Sequence, residues 1–262
     1  MTLFIITLLI GLLAGLILGM LGGGSGLALV PGISFLLLNY YPAIPHDMVM
    51  QFAIGDTFLV TFFFGAFTTY TQHRRGLVLW KHFRKLILSI ILGTLVGNLI
   101  THALPSHIVR ITFGVLVLLL GIRMLLKNDV STLSKPWPNS FSVFCAGSFF
   151  GLVCGALGIA PFIVPYLKRY GVSMHQAIAT STACGVLFAL VGGITAALGG
   201  WHTTLSIPHA IGYIYLPLII PLFLGCVIAS EIGARIAHKL SAKVLKRFYC
   251  SLLFVVGIKM LL

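Results

Sequence analysis

The 262-residue chain has the pattern of an all-α, polytopic membrane protein. It divides into two inverted-topology repeats, each opening with a glycine-broken helical hairpin and continuing with three transmembrane helices. Three features point there: an apolar composition, an internal repeat that carries Gly15 onto Gly151, and a lopsided placement of basic residues.

Composition defines the solvent. Hydrophobic residues make up 59% of the chain and charged residues 8%, against about 25% charged in soluble domains. Apolar runs at residues 3–21, 48–70, 86–104, 108–126, 141–157, 176–199, 207–230 and 244–262 approach or exceed the ~20 residues that span hydrocarbon as a helix. The first run has no basic residues before it and leads into a glycine cluster, so it does not read as a convincing signal peptide. The net charge of +13 would suggest nucleic acid in a soluble protein. In a membrane protein it follows from Lys and Arg collecting in cytoplasmic loops, and no nucleic-acid partner is expected. No Gly-x-x-x-x-Gly-Lys pattern is present, which excludes ATP-driven pumping by that motif. Four acidic residues, no metal-ligand cluster and no paired nucleophile and base predict a non-enzyme without cofactor or metal. The cysteines at 145, 154, 184, 226 and 250 form no C-x-x-C pair and read as packing residues.

The duplication sets the domain plan. A single shift carries Gly15, Gly19, Leu21 and Gly22 onto Gly151, Gly155, Leu157 and Gly158. The same shift carries Gly97, His102 and Leu104 onto Gly233, His238 and Leu240, and Gly121-Ile122 onto Gly257-Ile258. With local gaps, Val30-Pro31 matches Val164-Pro165, and Ala53-Ile54 matches Ala177-Ile178. Residues 1–128 are thus repeat 1, 129–138 a cytoplasmic linker, and 139–262 repeat 2. Such duplications are the usual build of secondary transporters.

Charge orients the repeats. If each opening hairpin returns to its starting side and three crossings follow, the basic groups at 71–85, 123–135, 168–169 and 235–247 all lie in the cytoplasm. Fifteen of the 17 Lys and Arg are then inside. If each opening segment crosses once, the halves are parallel and the split is nearly even. The positive-inside rule favours the first arrangement. Matched loops agree: 71–85 is basic while 199–210 has no Lys or Arg, and 235–247 is basic while 99–111 has only Arg110.

Both opening segments are interrupted, the first by Gly22-Gly23-Gly24-Ser25-Gly26 and the second by Gly155 to Pro161. Glycine costs a helix about 1 kcal/mol relative to Ala, and Pro161 suits the first turn of a new helix. The pieces that follow, 27–38 and 162–168, are short for a span. Irregular backbone survives at membrane depth only where protein or a wet cavity satisfies it. Each new half-helix starts with free N–H groups and a positive dipole end. Two such ends brought together would hold an anion without a buried Lys or Arg. The alternative is that these glycines only let helices pack closely.

Polar residues within the apolar runs complete the candidate site. Asp56 lies deep in the run 48–70, where a carboxylate is a functional candidate as a proton carrier; a structural acid paired with a polar neighbour is the other reading. Thr57 and its counterparts Thr180, Ser181 and Thr182 offer hydroxyls to an oxyanion, or to their own helix carbonyls. Glu231 and Arg235 have the spacing of an intrahelical ion pair. His102 and His238 fall near helix ends. Trp80, Trp137 and Trp201 lie in connecting segments, as in an aromatic belt.

These motifs resemble the sulfite exporter TauE/SafE family of membrane transporter proteins. The resemblance spans nearly the whole chain. It rests on Gly15 to Gly26 with Val30-Pro31, on Gly151 to Gly158 with Val164-Pro165, on Ala177 to Thr182, and on the closing patterns Gly121 to Leu126 and Gly257 to Leu262. Where the family carries Thr-Ser in the first repeat this chain has Asp56-Thr57, and its second glycine cluster is reduced to Gly158-Ile159-Ala160. The resemblance implies transport of a sulfite- or sulfonate-like anion. The expectation is therefore a secondary transporter of the inner (plasma) membrane working by alternating access. Its substrate would be bound by Gly22, Gly23, Gly24, Ser25, Gly26, Thr57, Gly158, Ile159, Ala160, Thr180, Ser181 and Thr182, with proton coupling through Asp56. An uncoupled facilitator and a non-transporting scaffold are the alternatives, and a homo-oligomer is left open.

Overall fold

The computed structural model describes residues 2–21, 25–126, 137–159, 162–205, 207–239 and 242–261. It is mostly helical. The elements are α1 (Thr2–Leu21), α2 (Ser25–Tyr40), a 3₁₀ turn (His46–Met48), α3 (Val49–Arg74), α4 (Trp80–Ala103), α5 (Ser106–Leu126), α6 (Ser140–Leu157), α7 (Ile163–Arg169) and α8 (Met174–Gly199). A short antiparallel hairpin, β1 (Ala210–Ile211) and β2 (Ile214–Tyr215), then leads into α9 (Leu216–Lys239) and α10 (Ala242–Leu261). Among the described residues six helices are long and apolar enough to cross a membrane: α3, α4, α5, α6, α8 and α9.

α3 and α8 form the core, the most buried of these six. They run antiparallel. A Cβ on Gly55 would stand 3.4 Å from that of Ala196, and one on Gly65 would meet Val186. Phe58 packs against Phe188 and Gly192 between these levels. α8 starts where Ser173 caps it: the Ser173 hydroxyl accepts the Gln176 N–H (3.4 Å) and donates to Gln176 Oε1 (3.0 Å), a serine N-cap.

Around this core the halves exchange contacts. α1 packs on α9, and α4 on α6. Gly11 and Gly15 of α1 lie directly on the backbone of Leu222 and Cys226, while Gly225 and Gly233 of α9 lie on α1. Gly151 and Gly155 of α6 lie on Ile90 and Thr94, while Gly93 and Gly97 of α4 lie on Ser148 and Leu152. Small residues let backbones approach this closely in lipid. The two interfaces are the same interface: the shift that carries Gly15 onto Gly151 also carries Ile90, the partner of Gly151, onto Cys226, the partner of Gly15.

The segments between helices gather at two ends. Leu79 is hydrogen-bonded to Thr180, and His82 packs on Trp137. The turns after α3, before α6 and before α8 therefore share one end, with Arg74, Arg75, Lys81, Arg84, Lys85, Lys168 and Arg169. This is the basic end. The opposite end holds the turn into α3, the α4–α5 turn and the β-hairpin. There the Met50 N–H donates to Ser106 Oγ (3.0 Å) and Gln51 Nε2 donates to the Leu104 carbonyl (2.8 Å).

Several sequence expectations change. The apolar run 207–230 is not one helix: residues 210–215 turn back as the hairpin, and α9 begins only at Leu216. The basic loop 71–85 is mostly helix ends, with five residues between α3 and α4. Gly155 belongs to α6, packed on Thr94, so the second interruption starts at Gly158. Ser25 and Gly26 already lie in α2. The linker 129–138 falls outside the described residues except for Trp137 and Pro138.

Candidate functional site

The two interruptions meet. α6 ends at Gly158, whose φ of 69° is left-handed and whose N–H donates to the Cys154 carbonyl (2.8 Å), an ending that favours glycine. Gly26, in the first turn of α2, has no room for a Cβ, because the Gly158 carbonyl and the Ile159 side chain occupy its place. On its other flank Gly158 faces repeat 1: a Cβ there would stand 3.4 Å from Val30 Cγ2, 3.6 Å from Thr57 Cγ2 and 3.7 Å from Ile54 Cγ2. Gly26, Thr57, Gly158 and Ile159 are thus one buried cluster. At this contact the start of α2 faces the carbonyl end of α6, not a second N-terminus. Gly22, Gly23, Gly24, Ala160 and Pro161 lie outside the described residues.

Asp56 adjoins this cluster through Thr57 but points elsewhere. Its Oδ1 accepts the backbone N–H of Tyr215, in β2, at 2.7 Å. Its Oδ2 is buried without a hydrogen-bond partner among the described residues, and the residue is fully buried. The hairpin that supplies Tyr215 is seated backbone to backbone. Gly55 has no room for a Cβ against the Tyr213 carbonyl, and Gly212 (φ 56°) none against the carbonyls of Ala196 and Ala197. Around it, Tyr215 stacks edge-on to Tyr41 (5.0 Å), and Tyr213 lies on Phe52 (5.8 Å) and His102 (4.9 Å).

The hydroxyls of repeat 2 sit at the other end of the core. Thr180 Oγ1 accepts the Leu79 N–H at 3.0 Å, beside a small cluster of Val78, Ala179 and Ala183. Ser181 Oγ is buried without a partner. Thr57 and Thr182 donate to their own helix, to the carbonyls of Ala53 (2.7 Å) and Ile178 (2.9 Å). The antiparallel register therefore separates Thr180–Thr182 from Asp56 and Thr57, which the sequence had grouped in one site. Gly26, Asp56, Thr57, Gly158, Ile159 and Thr180–Thr182 are all buried, so the arrangement is a closed one.

A polar stripe on α4 carries no sequence prediction. Asn98 Nδ2 donates to the Gly192 carbonyl (3.1 Å) and to Thr195 of α8, and Thr101 donates to the Ala156 carbonyl at the end of α6 (2.8 Å). Thr94 completes the face with a buried, unpartnered hydroxyl. Their spacing of four and three residues is a helical-face signal readable in the sequence. The predicted pair Glu231–Arg235 forms at 3.2 Å, exposed. Among the described residues no group of three His, Cys, Asp or Glu could hold a metal ion. An apolar groove of about 400 Å³ between α1, α9 and α10, lined by Leu9, Leu13, Ile232 and Leu252, includes none of the site residues.

Six membrane-length helices around a buried polar core define a multi-pass membrane protein. Its chain belongs to the family described as "Sulfite exporter TauE/SafE", whose model matches residues 7–260. It is similar to a "Probable membrane transporter protein" of Haemophilus influenzae, 32% identical over 100% of this chain and 99% of the relative. Others are MJ0441 of Methanocaldococcus jannaschii, 24% identical over 97% and 94%, and YunE of Bacillus subtilis, 22% identical over 98% and 97%, both also named as probable membrane transporter proteins. No solved structure matches. Family and relatives together make this protein a membrane transporter.

Proposed function

We propose that the protein moves a small sulfur-containing or organic anion, sulfite- or sulfonate-like, across the inner membrane by alternating access, with proton coupling through Asp56. The observation that carries this reading is the meeting of the two interruptions at Gly26 and Gly158-Ile159, with Thr57 alongside. The first-turn N–H groups of α2 are the donors such a site offers an oxyanion without a fixed positive charge, and the Thr57 hydroxyl, which in this closed arrangement donates to Ala53, is a hydroxyl beside them. A protonated Asp56 next to that cluster leaves the anion unopposed; an ionised one repels it. Substrate and proton are thereby linked.

We further infer that the halves are inverted-topology repeats. The antiparallel run of α3 and α8 supports it, as does the equivalence of the α1–α9 and α4–α6 interfaces under the repeat shift. Inverted repeats give a transporter two conformations related by exchange of its halves, which is the geometry of alternating access.

The test is uptake of sulfite and of a small sulfonate into proteoliposomes, with and without an imposed pH gradient, parent beside Asp56→Asn. The expected outcome is gradient-driven accumulation by the parent, with binding retained and accumulation lost in Asp56→Asn. Equal accumulation by both removes Asp56 from the coupling. Transport by the parent that ignores the gradient makes the protein a facilitator.

A further inference from the structure

Leu79 and Tyr215 are counterparts under the shift that carries Gly15 onto Gly151. Each directly precedes the first residue of a membrane-crossing helix, α4 and α9 respectively. Each gives its backbone N–H to a side-chain oxygen of the other half: Leu79 to Thr180 and Tyr215 to Asp56. Thr180 and Asp56 are themselves counterparts, each following directly on the matched stretches Ala177-Ile178-Ala179 and Ala53-Ile54-Gly55. An N–H at a helix start has no acceptor within its own helix. Here the acceptor comes from the facing repeat. The two halves therefore grip each other by one equivalent bond at each end of the α3–α8 core.

The two bonds differ in chemistry. Thr180 is a hydroxyl, neutral at any physiological pH. Among the described residues Asp56 is an acid with one hydrogen bond, no ion pair, and an Oδ2 with no partner. An ionised carboxylate so enclosed carries an uncompensated buried charge, whose cost outweighs the stronger bond it would accept from the Tyr215 N–H. The closed hairpin is compatible with the neutral acid. Once the proton leaves, Oδ2 needs water, and the segment that bars water on that side is the hairpin itself.

We propose that β1–β2 is the gate at the end opposite the basic segments, that Asp56 latches it through the Tyr215 N–H, and that Thr180 with Leu79 is the counterpart latch at the basic end. The assignment rests on the transport reading above and says which half of the cycle the proton serves. Opening the gate releases the proton of Asp56 to that side, and the closed gate holds the neutral acid. The Thr180 latch at the basic end carries no proton.

The seating of the hairpin suits such a movement. It is two residues per strand, lies against Gly200 and the backbone of Gly55, Ala196 and Ala197, and runs directly into α9. Other titratable or charged groups face this region from each packed element. Tyr213 and Tyr215 are on the hairpin, Tyr41 is beside Tyr215, and His102 of α4 is against Tyr213. His46 and Asp47 stand in the turn into α3, and His107 and Arg110 in the first turns of α5. The His102 imidazole is in contact with the hairpin, and His209 directly precedes β1, its carbonyl accepting the Leu216 N–H (3.2 Å), so these two are the residues to separate from Asp56.

The experiment reads the hairpin directly. Ile214, buried in the closed state, is replaced by Cys in a full-length Cys145→Ser protein reconstituted in liposomes. Its reaction with a membrane-impermeant maleimide is followed from acidic to alkaline buffer without substrate, normalised to Leu205→Cys, which is 74% exposed. Labelling of Ile214→Cys is expected to rise several-fold with pH in the parent. It stays low at every pH in Asp56→Asn, whose amide oxygen still accepts the Tyr215 N–H, and in Asp56→Thr, which copies the Thr180 contact and serves if the Asn variant does not fold. His102→Gln and His209→Asn each keep the parent's profile. Val78→Cys at the basic end labels independently of pH in the parent and becomes pH-dependent in Thr180→Asp. A flat profile at Ile214→Cys in the parent overturns the proposal, as does a parent-like profile in both Asp56 variants. Gradient-driven anion uptake with a flat profile would defeat the gate and leave the transport reading; the expected profile without any uptake would do the reverse.

Discussion

Gly26 and Gly158 touch, yet glycine is required at each for a different reason. Gly158 needs its left-handed φ of 69°, but a Cβ there meets its neighbours at 3.4 Å or more. Gly158→Ala should therefore cost only the left-handed strain, about 1–2 kcal/mol, and Gly158→Asn less. Gly26 has ordinary helical backbone and no space, since the Gly158 carbonyl fills it. Gly26→Ala must push the end of α6 away, at about 1–3 kcal/mol. It also moves Gly158 off Thr57, so anion transport falls more than stability does. The expected order is parent, Gly158→Asn, Gly158→Ala, Gly26→Ala, in both melting temperature in detergent and uptake per folded molecule. A Gly26→Ala protein as stable and active as Gly158→Ala would show that the contact does not exist in the membrane. Asp56, Thr57 and Thr180–Thr182 were legible in the sequence because a polar side chain in an apolar run stands out. Their partners were not. Leu79 and Tyr215 act through backbone N–H groups, which every non-proline residue has, and only the repeat alignment ties them together.

Two helix pairs, α1–α9 and α4–α6, hold the halves together through glycines on bare backbone. Widening either pair separates one half's opening helix from the other half. Gly15→Leu and Gly151→Leu occupy equivalent positions, so both should lower folded yield to a similar, large extent. Gly121→Ala is the control: its Cβ meets only the side chains of Leu253 and Phe254, at 3.4 Å and beyond, and the protein should tolerate it. Size-exclusion profiles and thermal melts of the three variants check this. Tolerance of Leu at one of the two positions alone would mean that the interfaces are not energetically equivalent. Helix existence was legible wherever an apolar run was bounded by charge or by Gly and Pro: α3, α5, α6, α8 and α10 begin and end within a few residues of their predicted runs. The run 207–230 failed because hydrophobicity has no direction. Pro208, Gly212 and Pro217 mark a turn, yet Ile211, Tyr213, Ile214 and Tyr215 are apolar enough to pass for the start of a span. The stripe of Thr94, Asn98 and Thr101 escaped for the opposite reason: three uncharged polar residues barely lower the hydropathy of a 24-residue helix.

With its turns gathered at two ends, the molecule sorts its charge as well. The basic residues of 71–85 and 168–169 share one end, and α5 and α9, which start at the other, carry Arg123 and Arg235 towards it. The hairpin end holds the 199–215 segment, free of Lys and Arg. Charges of this asymmetry fix orientation during insertion, Lys and Arg staying in the cytoplasm. Two consequences follow for a protein whose α3 and α8 are equivalent but antiparallel. First, the hairpin gate opens away from the cytoplasm, so a proton released by Asp56 leaves on the outer side. Second, on the inverted-repeat reading proposed above, residues matched by the repeat are expected on opposite sides of the membrane, the turn after α3 in the cytoplasm and its counterpart after α8 outside. Single cysteines at Arg75 and Leu205, both exposed, test this without reference to substrate. In right-side-out vesicles of a Cys145→Ser protein, an impermeant maleimide should label Leu205→Cys and spare Arg75→Cys; in inverted vesicles the pattern should reverse. Labelling of both from one face would make the halves parallel, and with that the exchange of conformations between them would have no structural basis. Labelling in the reverse sense would keep the exchange but turn the gate inward, so that opening it would release the proton of Asp56 to the cytoplasm.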